Sequence, residues 1–158
     1  MSDARDRFEA SRHMDAHLLH LRTLLHRPVG AEDLLSLAET TAVRVQASAR
    51  PRLPVWTIEL PFAAKASERF RAWIRTCIEL NPEPVYIWTD LANVCGLLRP
   101  TPLREIDFDF ELELDPRGIV SILSADYQDK MILDFSEDDG VQTLELEVSG
   151  PHWTQAQY

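Results

Sequence analysis

The sequence predicts an α+β fold in which N-terminal helices pack on a C-terminal antiparallel β-meander, and three observations carry that reading. Apolar residues recur at the helical period through much of the first 80 residues. They switch to strict alternation after residue 105, and tight-turn motifs separate the later segments. The chain has 158 residues, 45% of them hydrophobic. That suffices for a single α+β domain over residues 1–158, and is too little for two comfortable ones.

The elements follow in order. Residues 3–26 place Met14, Leu18, Leu21 and Leu25 on one helical stripe, which Pro28 and Gly30 end. A second helix is predicted over about 31–47. Its first turn holds Glu32 and Asp33, where carboxylates suit the helix dipole, and Leu34, Leu37, Ala38, Thr41 and Val45 line one side. Pro51 and Pro54 punctuate the exit. Val55–Leu60 alternates and is rich in β-formers, so it reads as a strand closed by Pro61. Residues 63–80 return to the helical period through Ala66, Phe70, Trp73, Ile74, Cys77 and Ile78, with Lys65, Arg69, Arg71 and Arg75 outside.

The second half reads as a sheet. Val85–Trp88 is a short strand, and Thr89-Asp90 caps one or two helical turns that end at Gly96. Ile106, Phe108, Phe110, Leu112 and Leu114 then alternate with Asp107, Asp109, Glu111 and Glu113, which predicts a strand with one face buried and one wet. Asp115-Pro116-Arg117-Gly118 has the chemistry of a type I turn. Ile119–Ala125 is apolar on both faces and reads as a central strand, followed by Met131–Phe135. Ser136–Gly140 is a turn, and Val141–Val148 closes the meander with Leu144, Leu146 and Val148 inward.

Charge divides the chain more sharply than hydropathy does. Residues 1–78 hold 12 basic and 9 acidic side chains, whereas residues 79–158 hold 4 basic and 17 acidic. The net charge of −10 argues against nucleic acid or an anionic membrane as the main partner, since both are bound through clustered Lys and Arg. No apolar run approaches a membrane span, and the charged N-terminus lacks the apolar centre of a signal peptide. Two cysteines make no disulfide framework. The expectation is a reduced cytoplasmic protein with no cofactor.

Several patterns invite a chemical reading, and each has a plainer one. Asp134, Ser136, Asp138 and Glu145 fall at calcium-hand positions, but the glycine that such a loop needs at its sixth place is one residue late. Hairpin chemistry explains the run better. His13, His17 and His20 share a helical face without a catalytic glutamate or a further ligand set, so they read as boundary residues. Cys95 and His152 lack any motif around a nucleophile, and Cys95 reads as the packed end of a short helix. No phosphate loop or dinucleotide fingerprint is present. Trp153 is read as tucked against the sheet edge, with an exposed interface anchor as the alternative.

The acidic set remains. Asp107, Asp109, Glu111, Glu113, Glu145 and Glu147 are predicted to point outward from two strands, and Glu137, Asp138 and Asp139 lie in the turn that joins this acidic set. Like charges opposite one another weaken a sheet, so such a face reads as a solubilising surface or a docking surface for a basic protein, with cation binding as a third reading. With its helix-then-meander order and the Ser136–Gly140 acidic turn, the chain resembles the immunity proteins of bacterial toxin–immunity systems, including contact-dependent growth inhibition. The resemblance implies a non-enzymatic inhibitor of a cognate basic toxin, often a nuclease, whose cleft the carboxylates would cover. Two other readings stay open. One is a small ligand-binding or enzymatic domain with a site between helices and sheet. The other is a structural adaptor docking through Arg69, Arg71 and Arg75.

Overall fold

A computed structural model describes residues 2–158. Helix α1 (Ser2–Leu25) buries Leu18, Leu21, Leu24 and Leu25, with Met14 half-buried on the same stripe. It stops where His26 turns left-handed (φ 48°), and the Arg22 guanidinium donates to the Val29 carbonyl to fold the exit back.

The second helix starts later than its composition suggests. Ala31–Asp33 forms a single 3-10 turn, and α2 runs Leu37–Ser48. Ser36 and Glu39 set that start through a reciprocal capping box: Ser36 Oγ accepts from the Glu39 amide, and the Glu39 carboxylate accepts from the Ser36 amide. The intervening Leu34 and Leu35 bond instead to Leu97 and Leu98. A serine cap likewise delays the third helix. Phe62–Ala66 is 3-10, and Ser67 caps α3 (Glu68–Leu80), which buries Phe70, Trp73, Ile74 and Cys77. The short α4 (Ala92–Cys95) ends at Gly96, whose φ of 108° and whose approach to the Leu35 carbonyl exclude a side chain.

Five antiparallel strands form one sheet in the order β1-β5-β4-β3-β2, where β1 is Val55–Pro61, β2 Val85–Trp88, β3 Ile119–Ser124, β4 Lys130–Asp138 and β5 Val141–Ser149. The meander β3–β4–β5 is thus central, flanked by β1 from the first half and by the short β2. The last hairpin is tighter than the predicted Ser136–Gly140 turn. Asp139 and Gly140 both have positive φ (49° and 77°), a two-residue type I′ turn, so β4 continues to Asp138.

One face of the sheet is the main core. Leu133, Leu144 and Leu146 are fully buried there, each a contribution of about 1.5–3 kcal/mol from burial. The opposite face is covered only at the β2–β3 end. There Tyr86 and Trp88 pack with Val43 of α2, Ala92 of α4, and Leu97. Over β1, β5 and the turn end of β4 that face is bare.

The clearest sequence pattern does not form a strand. Residues 106–111 run extended, and Leu112–Leu114 is a 3-10 turn. Side chains still alternate as expected, with Ile106, Phe108, Phe110 and Leu114 in the core. The backbone bonds elsewhere: Asp107 N–H to the Leu24 carbonyl, Asp109 N–H to the Asp107 side chain, and the Lys65 ammonium to the Phe110 carbonyl at 2.6 Å. Period-two burial requires only an extended chain across an apolar layer. It does not require a neighbouring strand.

Candidate functional site

The nine acidic residues singled out by sequence are all at least partly exposed, but they do not share a face. Asp107, Asp109, Glu111 and Glu113 sit on the segment that closes the core side. Phe110 packs there on Phe135 with ring centres 5.5 Å apart. Glu145 and Glu147 project from the other side of the sheet, and Glu137, Asp138 and Asp139 lie at or beside the hairpin tip between the two regions.

The first group has cations of its own. Asp107 pairs with His26, and Glu105 just before it lies 3.6 Å from Arg27. Lys65 is buried beneath the segment, its ammonium 3.9 Å and 4.4 Å from the Phe62 and Phe110 ring centres. Burial pulls its pKa down, and Asp109, Glu111 and Asp107 oppose that shift. Next to it a groove of about 420 Å³ opens between α3, the end of α1 and residues 104–109. Lys65, Arg71, Arg75, Arg104, Asp107 and Asp109 supply its charge, of both signs. This groove is where a ligand site between helices and sheet would lie.

The bare sheet face holds a different arrangement. Glu59 of β1 lies opposite Glu145 of β5, which lies opposite Asp134 of β4, three carboxylates in one row across three strands. Gly150 N–H bonds the Pro54 carbonyl, so the ladder bonds between β1 and β5 fall at Pro54, Trp56, Ile58 and Leu60. Glu59 and Glu145 therefore form the closer, non-hydrogen-bonded kind of pair, where like charges repel most. Ser136 and Thr143 complete a shallow depression of about 200 Å³ around the row. None of the three carboxylates has an ion pair among the described residues. Lys130, the nearest lysine in the ladder, lies one step beyond Glu147 and beside Arg50.

Glu59 and Asp134 were outside the sequence-predicted set. The alternation in Val55–Leu60 already placed Glu59 outward, but only the pairing of β1 with β5 puts it opposite Glu145. Asp134, Ser136 and Asp138 alternate along β4 rather than lining a loop, which excludes the calcium-hand geometry. Among the described residues, no group of three or more His, Cys, Asp or Glu is arranged to hold a metal ion.

The remaining candidates resolve into structure. His17 is fully buried and Nε2 lies 2.8 Å from the Gly96 carbonyl, an acceptor only, so Nε2 carries a proton, while Nδ1 is buried without a partner among the described residues. His13 on the same helix is exposed. His152 is bound to Asp129 at 2.7 Å. That buried carboxylate also accepts from Asn81 and from the backbone of His152 and Trp153, tying the C-terminal turn to the β3–β4 loop. Burial raises the Cys77 thiol above the ordinary thiol range and raises Cys95 as well, the reverse of nucleophile activation. Trp153 is fully buried, as expected. Of the predicted adaptor face, Arg71 and Arg75 engage Glu68, and Arg69 stacks 4.4 Å over the Tyr158 ring.

No family model, curated protein or solved structure matches this chain.

Proposed function

We propose that this protein is a non-enzymatic binding protein that neutralises a cognate basic toxin, of the nuclease kind, by covering the cleft in which that toxin holds its substrate. The observation that carries the reading is the Glu59–Glu145–Asp134 row. Three carboxylates side by side weaken the sheet that bears them, by a few tenths to about 1 kcal/mol for each opposed pair. Lysines and arginines of a partner would relieve that repulsion, as they do with substrate phosphates. Glu147 and the hairpin-tip acids Glu137, Asp138 and Asp139 extend the same negative field and would steer association.

The test begins with a low-salt affinity capture that names the partner, followed by binding kinetics. Glu59→Gln, Asp134→Asn and Glu145→Gln together are expected to slow association at least about tenfold and flatten its salt dependence. The set Asp107→Asn, Asp109→Asn, Glu111→Gln and Glu113→Gln should have a smaller effect. Unchanged kinetics in the first variant remove the sheet face from the interface. A strong effect in the second alone moves the contact to the groove side.

A further inference from the structure

We propose that the free edge of β1 receives an extended segment of the partner as a sixth strand, its side chains alternating basic and apolar. This rests on the partner being a basic protein, and states how it is held. The backbone argument comes first. β1 is the last strand in the sheet order, and its ladder bonds use alternate residues only. The N–H and C=O groups of Val55, Thr57 and Glu59 therefore point away from β5, and among the described residues no other backbone group bonds them. The opposite edge is not equivalent, because β2 is bridged at Val85 by Thr101 in both directions.

Exposed edges are commonly guarded by lysines, bulges, internal prolines or short length. β1 has seven residues, an unbroken register, no lysine, and proline only at its last position. Its two faces match the two faces of the proposed segment. On the core side Trp56, Ile58 and Leu60 are only half-buried, whereas their ladder partners Val148, Leu146 and Leu144 are fully buried. A cavity of about 410 Å³, lined by Trp56, Ile58, Thr154 and Tyr158 among others, lies against them and has room for apolar side chains. On the bare side Glu59 stands at the edge of the acidic row, where the added strand's Lys or Arg would lie. A second copy paired antiparallel about Glu59 would set the two acidic rows side by side and be repelled. Strand addition gives affinity through main-chain bonds and selectivity through alternate side chains.

The probe is a blocked nonapeptide of alternating valine and lysine, compared with alternating valine and glutamate and with the same valines and lysines in two blocks. Amide hydrogen exchange is read at Val55, Thr57 and Glu59. The alternating lysine peptide should slow all three by at least about tenfold, and the other two peptides should not. Thr57→Pro should abolish the protection, since that N–H lies off the ladder. Val55→Pro at the first strand position serves if the first variant does not fold. No protection by any peptide overturns the proposal, as does equal protection by the glutamate peptide. A concentration-dependent dimer that Thr57→Pro dissolves assigns the edge to self-association and also overturns it. A captured partner that is lost on neutralising the acidic row but kept by Thr57→Pro upholds the inhibitor reading while overturning strand addition. Peptide protection of the edge beside a partner indifferent to the acidic row does the reverse.

Discussion

Residues 106–114 and the β4–β5 hairpin carry the same kind of sequence, apolar residues alternating with acids, and the structure treats them differently. In the hairpin the backbone closes a ladder, and Glu145 is held in register against Glu59 and Asp134 with no cation between them. In residues 106–114 no strand lies alongside. The core takes the aromatic side chains, Lys65 takes a carbonyl, and the acid nearest α1 is paired with His26. The lesson concerns charge more than shape. In residues 106–114 Asp107 is paired within the chain, whereas Glu59, Glu145 and Asp134 have no ion pair among the described residues.

The hardest way to break this comparison is to remove the aromatic anchor. Phe110 meets Phe62 and Phe135 in the core, so Phe110→Ala is expected to cost about 3–5 kcal/mol in chemical denaturation. A loss below about 1 kcal/mol would mean that residues 106–111 are not built into the core. Lys65→Met is milder. It keeps much of the apolar stem but leaves the Phe110 carbonyl without its donor, for about 1–3 kcal/mol. Amide exchange at Asp107 should quicken, while the β4–β5 ladder stays protected.

Acid tests a third part of the molecule, the buried His17 of α1. Burial holds the His17 imidazole below its ordinary value; the Gly96 carbonyl opposes this, and neighbouring His20 adds to it. As pH falls below about 6.5 the unfolded chain takes up this proton first. The stability associated with neutral His17 is therefore complete above that value and declines through its lowered folded value. Melting temperature followed from pH 7 to pH 5 should fall more steeply in the native chain than in His17→Gln. Parallel curves would remove His17 as the cause.

The smallest effects sharpen the comparison most, because their signs differ. Glu145→Thr relieves two opposed like-charge pairs and should stabilise by a few tenths to about 1 kcal/mol. Asp107→Asn gives up the pairing with His26 and should destabilise by a few tenths. Shifts of the same sign in both would erase the distinction between compensated and uncompensated acids.

Much of the fold is legible in the sequence. The stripe at Leu18, Leu21 and Leu25, the alternation in Val55–Leu60 and the apolar run Ile119–Ala125 each report a local periodicity, and each became the element it suggested. The helix starts at Leu37 and Glu68 are displaced because a serine cap four or five residues inside an apolar-periodic stretch competes with the periodicity and wins. The candidate site was half legible: Glu145 and Glu147 were marked as outward, whereas Glu59 and Asp134 were not joined to them. Helical periodicity puts Lys65 on an outer face, yet it is buried, since nothing nearby in sequence announces the Phe110 carbonyl that it reaches.

The sequence by itself determined the inward side of the strands, where turns fall, and that the second half is acidic, because these depend on residue type and on neighbours a few positions away. It misread the buried side of α2, where Thr40 and Val43 turn inward while Leu37 and Val45 are exposed. Tertiary structure alone decided that residues 106–111 run unpaired, that β1 stands at an open edge, and that three carboxylates from three strands lie in one row. Those outcomes depend on which segment pairs with which, and on free energies shared between residues as distant as Glu59 and Glu145, 86 positions apart. Local alternation is the same on either side of that choice.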